Sequence, residues 1–350
     1  MSDIAAQLEE SVEGTLVAFS GRPAQAELAA GRIPERLWRE ISALGLSHAL
    51  LPELAGGAGC APPAVLPAFL AIGRHAGPVP VGEDMFARWL LHRAGLPAPE
   101  GLVTLAPDAR ALAVDGQGRI SGTLGAVPWG RHAVAVVVGL DAAGESDARI
   151  ALLATDGAEC ILGANLAGEP RDRFVFRDTR AVPVARAHGP GPRVAGAALR
   201  AAMIAGAVRG TLDIAVAHAR VRQQFGKPVA AFQAIQHQLA VLAEETLAAD
   251  MAARSAFAAL DGEAARPWAA IAKIRCGDAA GTAVCVGHQV LGAMGFTREH
   301  DLHLLTTRLM SWRTEFGGAR AWSAILADAA AEDGALWERL VQWGDATGRS

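Results

Sequence analysis

Up to about Leu91 the apolar residues recur every three or four positions, as in Leu37-Trp38 with Ile41 and Leu44, Val65-Leu66 with Phe69-Leu70, and Phe86 with Trp89-Leu90-Leu91. That spacing predicts short amphipathic helices with one face turned inward. Two stretches that no helix tolerates interrupt them, Pro52 to Gly59 with its three glycines and Gly77-Pro78-Val79-Pro80. From about Leu102 to Pro183 the pattern changes. Ile120 to Leu124, His132 to Gly139, Arg149 to Ala154 and Arg173 to Arg177 are short, rich in Val, Ile and Phe, and separated by Gly, Asp and Pro, which predicts strands. Beyond the Gly/Pro-rich loop at 188–193, long helices are predicted over Ala197 to Arg222, Phe232 to Leu260, Pro267 to about Leu291, Asp301 to Met310 and Arg320 to Gln342. The fold class expected is multidomain α+β. A helical domain spans 1–98, a small β-barrel or sandwich domain 99–190, and a C-terminal four-helix-type bundle 191–350.

The length of 350 residues fits two or three packed units, and 51% hydrophobic against 19% charged residues excludes a disordered chain. A net charge of −4 without a run of basic residues argues against nucleic acid as a partner. The acidic N-terminus does not read as an export signal. Uninterrupted apolar runs such as Ala133 to Leu140 are too short to span a bilayer, and the stretch 197–217 carries Arg200, Arg209 and Asp213, so no membrane span is expected. Four scattered cysteines without a CxxC pair suit a reducing compartment, and a cytoplasmic location is expected.

Two segments carry chemistry. In Arg222-Gln-Gln-Phe225-Gly226-Lys227-Pro228 followed by Phe232-Gln233, an interhelical turn gathers a cation, an aromatic ring and an amide. A guanidinium is a forked donor for phosphate, a Phe ring is a flat surface for a purine, and a Gln reads a polar edge. The same residues also suit an ordinary helix hairpin. In Gln289-Val-Leu-Gly292-Ala293-Met294-Gly295-Phe-Thr-Arg-Glu299 a helix ends through small residues that let backbone N–H groups approach a ligand, and the next helix is expected to begin at Thr297 with Glu299 or His300 as cap. His300 and His303 are spaced three apart without a third ligand, so no metal site is expected.

Together these segments resemble the acyl-CoA dehydrogenase family of flavoproteins. Arg222, Phe225, Gly226 and Gln233 match its Arg-x-x-Phe-Gly element, Gln289, Gly292, Gly295 and Glu299 match its Gln-x-x-Gly turn, and Pro52-Glu53 with Gly56-Gly57 and Gly59 is similar to its N-terminal turn. The resemblance implies FAD bound at a subunit interface, with Arg222, Phe225, Gln233, Gln289, Gly292 and Ala293 touching its adenosine diphosphate end. It implies α,β-desaturation of an acyl-CoA thioester in fatty acid or steroid side-chain metabolism, a homo- or hetero-oligomer with another such subunit, and an electron-transfer acceptor.

The sequence also departs from that family. Its reaction needs a carboxylate base, usually in a Tyr-Glu-Gly segment, but this chain has no tyrosine and shows Glu315-Phe316-Gly317-Gly318 there. Glu315 is the nearest acid and the one candidate base, against a capping or surface carboxylate; in the first case Phe316 and the small residues near Gly196 would make room for a bulky acyl group. The family's flavin-ring segment is reduced to Leu102-Val-Thr104-Leu-Ala-Pro107-Asp108, with Trp129 either facing the flavin or closing a strand end. Retained interface residues beside a missing base resemble the short subunit of heteromeric acyl-CoA dehydrogenases. The alternative is a non-catalytic accessory subunit that stabilises a partner dehydrogenase.

Overall fold

The computed structural model describes residues 2–107, 111–117, 119–140, 149–180, 184–186, 189–331, 338 and 341. The N-terminal helices are α1 (Ser2–Phe19), α2 (Arg22–Ala29), α3 (Glu35–Ala43), α4 (Pro62–Arg74) and α5 (Val81–Arg93). The strands follow: β1 (Val103–Leu105), β2 (Leu112–Val114), β3 (Arg119–Pro128), β4 (Ala135–Gly139), β5 (Arg149–Ala154), β6 (Glu159–Ile161), β7 (Arg171–Arg180) and β8 (Val184–Arg186). The C-terminal part holds α6 (Pro192–Val221), the two-residue strands β9 (Gln223–Gln224) and β10 (Lys227–Pro228), α7 (Gln233–Ala259), α8 (Ala265–Leu291), α9 (Leu302–Trp312) and α10 (Ala319–Ala331). The expected last helix ran to Gln342, and most of its end lies outside the described residues.

The strands form two four-stranded sheets, β1-β4-β5-β8 and β2-β3-β7-β6, mostly antiparallel, with β1 and β4 the parallel pair. Side chains of β4 divide by parity. Val136 and Val138 join Leu124, Phe174 and Phe176 in the core between the sheets, whereas Ala135 and Val137 face the helical core. Both faces are buried from Ala135 to Val138, so this strand reads as a continuous apolar run rather than an alternating one.

Helix α6 is the axis of the C-terminal part. It packs against α4, α7, α8 and α9, and from Val194 to Val208 every residue is buried. Its Ala and Gly content allows this close approach. A Cβ on Gly206 would lie 2.0 Å from the Leu70 carbonyl oxygen, and one on Gly73 of α4 would lie 2.0 Å from the Met203 carbonyl oxygen, so the two helices touch backbone to backbone. With the turn after it, α8 forms a 32-residue stretch, 265–296, long and apolar enough by length and composition alone to cross a membrane. Uninterrupted apolar runs miss it because Arg266, Lys273, Arg275 and Asp278 break the sequence. In the fold it packs along α6 and α7.

Candidate functional site

The chain leaves α6 at Val221, and Arg222 turns extended with ψ 123°. Gln223 and Gln224 then pair antiparallel with Pro228 and Lys227 across the turn Phe225-Gly226. Both turn residues have positive φ, 50° for Phe225 and 78° for Gly226, the requirement of a tight two-residue hairpin. Glycine adopts this freely; the phenylalanine does so at a cost. The result is a Phe225 ring that is 90% exposed and meets Phe232 edge-on at 6.1 Å. Lys227 Nζ sits 4.4 Å above the Phe232 ring.

The opposite wall is the end of α8. Gly292 takes φ 59° and ψ −140°, a conformation essentially reserved for glycine, and a Cβ there would meet nothing within 4 Å, leaving its backbone open to a ligand. A small cluster of Ala215, Ala219, Val229, Val290, Leu291 and Leu302 fixes hairpin and helix end to each other. Between them lies a cavity of about 780 Å³ lined by Arg222, Phe225, Gln289, Gly292 and Ala293, together with His218 and Glu299. Five of the six expected contact residues thus converge, while Gln233 is exposed at the start of α7 and is not among the lining residues. Among the described residues the Arg222 side chain makes no ion pair. The next helix starts at Leu302, one residue from the Asp301 start read from periodicity and five beyond the Thr297 start read from the capping pattern, and the His300 Nδ1, rather than Glu299, accepts the Leu302 N–H at 3.1 Å. Thr297 instead donates its hydroxyl to the Met294 carbonyl.

Glu315 lies elsewhere and is neither a surface nor a capping carboxylate. Its Oε1 accepts Arg171 Nε at 2.8 Å and Asn165 Nδ2 at 3.0 Å; its Oε2 accepts Arg171 Nη2 at 2.9 Å and Arg200 Nε at 2.7 Å. Arg200, fully buried on α6, donates its other arm to Glu83 of α5. Glu169 extends the network, accepting from Arg171, Arg308, Asn165 and the Trp312 indole. Burial pushes the Glu315 carboxyl up, but Arg171 and Arg200 together with the hydrogen bonds from Arg171 and Asn165 outweigh it and hold the group far below the usual carboxylate range.

Phe316 follows with φ 55° and is buried. A Cβ on Gly196 would sit 2.2 Å from its ring. The expectation that Gly196 makes room for a ligand is therefore corrected, since the space is taken by Phe316 of the same chain. The Arg200 guanidinium lies 5.4 Å from the Phe316 ring, and Trp322 Nε1 donates to the Phe316 carbonyl at 3.1 Å. Trp129 is 2% exposed, with its backbone N–H donating to the Pro170 carbonyl, as a buried strand-end residue. Thr104 donates its hydroxyl to the Pro128 carbonyl, and Asp108 lies outside the described residues.

Lys273 on α8 has no exposure, and its Nζ donates to the Trp312 and Arg313 carbonyls at 2.8 and 2.9 Å, anchoring the segment that carries Glu315. Burial lowers its pKa to about 7 from 10.5, with Glu315 opposing and Arg200 adding to the shift. Below pH 7 both folded and unfolded chains carry this charge, and the folded one bears the full burial cost. Between about 7 and 10.5 only the unfolded chain holds the proton, so stability gained from this residue rises with pH. In urea titrations, the unfolding free energy of the natural chain minus that of Lys273→Met is expected to increase from pH 7 to pH 10; a flat difference would show that the amine titrates normally.

The fold places the chain among known structures. It matches the ChsE4–ChsE5 complex of Mycobacterium tuberculosis with a TM-score of 0.85 at 21% identity, over 95% of this chain and 98% of that one. A steroid ACAD, Tcur3481–Tcur3483, gives 0.84 at 24% over 95% and 99%. In sequence, residues 195–330 match the acyl-CoA dehydrogenase C-terminal domain. Acyl-CoA dehydrogenase FadE34 of M. tuberculosis is 32% identical over 301 residues, 81% of this chain; the chain spans only 41% of that relative's length. Acyl-CoA dehydrogenase IpdE2 of the same organism is 28% identical over 86% of this chain and 89% of its own length. Residues 195–330 thus carry the acyl-CoA dehydrogenase C-terminal domain, and the chain as a whole has the fold of acyl-CoA dehydrogenases, a family of FAD flavoproteins.

The residues present fit one end of that cofactor. The hairpin cavity has the size of a ligand pocket, and it combines a free guanidinium, an exposed aromatic face and a glycine backbone without a shielding side chain. That donor set suits a purine nucleoside diphosphate. Sequence reasoning missed His218, although it stands four residues before Arg222 and so shares its helix face. It also missed the Arg171–Glu315–Arg200 network.

Proposed function

We propose that this chain is a subunit of an acyl-CoA dehydrogenase that lends the adenosine diphosphate end of an FAD site to a neighbouring subunit and leaves proton abstraction to that neighbour. The carrying observation is the contrast between the open cavity at Arg222, Phe225 and Gln289 and the Glu315 carboxylate, whose two oxygens already accept four hydrogen bonds. To act as base Glu315 would have to break bonds from Arg171 and Arg200, and a carboxylate held so strongly ionised has little affinity for a proton. Arg222 would clamp the diphosphate, Phe225 would cover the adenine, Gln289 would meet a polar edge, and the Gly292-Ala293 backbone would approach the phosphates. When bound, FAD accepts the hydride from the acyl β-carbon. The partner subunit supplies the base, and a separate electron carrier takes the electrons onward. A two-component assembly is supported by the ChsE4–ChsE5 and Tcur3481–Tcur3483 neighbours, and an acyl-CoA substrate of steroid type by the name of the second, a steroid ACAD. The open cavity favours this reading over a purely accessory subunit. We read 1–98, 99–190 and 191–350 as its domains, α8 as a bundle helix, and the cytoplasm as its place.

The test is FAD per chain. Purified alone, the chain is expected to be colourless; co-expressed with a longer homologue, it is expected to co-purify with one FAD per pair of unlike subunits. One FAD per chain in a homo-oligomer overturns the proposal. In the assembly, Glu315→Gln is expected to leave turnover per bound flavin within about threefold, whereas loss of a general base costs about 10²–10⁴-fold.

A further inference from the structure

His218 lines the same cavity as Arg222 from the last turn of α6. Among the described residues its ring makes no hydrogen bond. Its charged neighbours are Arg222, four residues on at the cap of α6, and His300 from the segment before α9, and the same cavity is lined by Glu299, the uncharged Gln289 of α8, and the apolar Ala234 and Ile235 of α7. An imidazole without a partner, on one helix face with a free guanidinium and at the wall of a diphosphate-sized space, is placed to become a second cation toward an anionic ligand. We infer that His218 is a binding residue for the phosphates of the dinucleotide, and that it takes up a proton when they bind. This rests on the interface-FAD reading above.

The electrostatics support the direction. In the free chain, burial first and then the electrostatic influence of the neighbouring His300 and Arg222 depress the His218 pKa below its ordinary value, so the neutral ring is favoured. A diphosphate diester places two negative charges between His218 and Arg222. It neutralises the repulsion from Arg222 and gives the protonated ring an acceptor, which reverses the sign of the local field. A guanidinium does not titrate in the physiological range, so the pH dependence of phosphate binding passes to His218.

Adenosine diphosphate ribose is a suitable probe, because its two bridging phosphates exchange no proton near neutrality. Calorimetric titration of the full chain in two buffers of different ionisation enthalpy reads the protons taken up on binding. Near pH 7 the natural chain is expected to take up about 0.3 to 0.6 of a proton per ligand, and its Kd to tighten by about three- to tenfold from pH 8 to pH 6. His218→Gln is expected to abolish both effects and to keep the weaker, high-pH affinity, while His300→Gln retains both. Proton uptake that survives in His218→Gln, or vanishes in His300→Gln, overturns the assignment. Binding without proton uptake in the natural chain sinks this inference and leaves the interface-FAD reading standing. Absence of binding across pH 6–8 overturns this inference and leaves the interface-FAD reading to the count of FAD per pair of unlike subunits.

Discussion

Replacing Arg200 with methionine is expected to cost about 3–5 kcal/mol of folding stability, the scale for removing one partner of a buried ion pair. Methionine keeps most of the volume, so the loss reports charge rather than a cavity. Arg200 is fully buried between Glu83 and Glu315, and without it Glu83 is left beside apolar α5 and α6 side chains with no other cation bound to it among the described residues. Glu315 would keep Arg171. The penalty therefore falls mainly on Glu83, and adding Glu83→Gln to the variant is expected to recover a large part of it. Arg74 offers the comparison. Its pairs with Glu13 and Asp213 are each more than a third exposed on both sides or nearly so, and Arg74→Met is expected to cost about 1 kcal/mol or less. Urea midpoints with unchanged slopes measure both. A loss below 1 kcal/mol for Arg200→Met would mean that the network is hydrated and weak.

Helix periodicity located the C-terminal helices well, because each buries a face against α6 and the spacing of small and apolar residues records that burial. The hairpin site was legible for a related reason. Arg222, Phe225 and Gly226 are adjacent in sequence, and a two-residue turn fixes their relation locally. Glu315 was not legible in this way, since its partners Arg171 and Arg200 are 144 and 115 residues away and come from a strand end and a central helix. A weaker signal existed. Arg200 is the lone charge between Val194 and Val208 in a stretch that is otherwise all apolar or small, and an arginine placed there requires a buried carboxylate somewhere in the fold. Glu83 and Asp84, side by side in an apolar helix, pose the same demand; Asp84 meets it with Arg88 and the Val103 N–H. What the sequence could not supply was which acid answers which arginine.

In the assembled dehydrogenase, Arg222→Gln is expected to loosen FAD about ten- to a hundredfold, equivalent to the roughly 1.5–3 kcal/mol of a hydrogen bond to a charged group. The expectation follows from three observations at one place. The guanidinium is free of any ion pair among the described residues, its helix exit turns it extended at the cavity wall, and the Val229 N–H bonded to the Arg222 carbonyl fixes that exit at 2.8 Å. Binding therefore need not first break an existing salt bridge, so most of the interaction with phosphate counts toward affinity. Lys227 is the internal control: its ammonium already rests over the Phe232 ring, and it is not among the residues lining the cavity. Lys227→Gln is expected to change FAD retention less than threefold. Fluorescence recovered as flavin leaves the diluted complex measures both variants against the natural chain. Equal retention in Arg222→Gln and the natural chain would place the diphosphate elsewhere, and the open cavity at the hairpin would then have to serve some other ligand. If flavin is lost from Arg222→Gln while the two subunits remain associated, this chain supplies part of the cofactor's binding energy and does more than stabilise its partner.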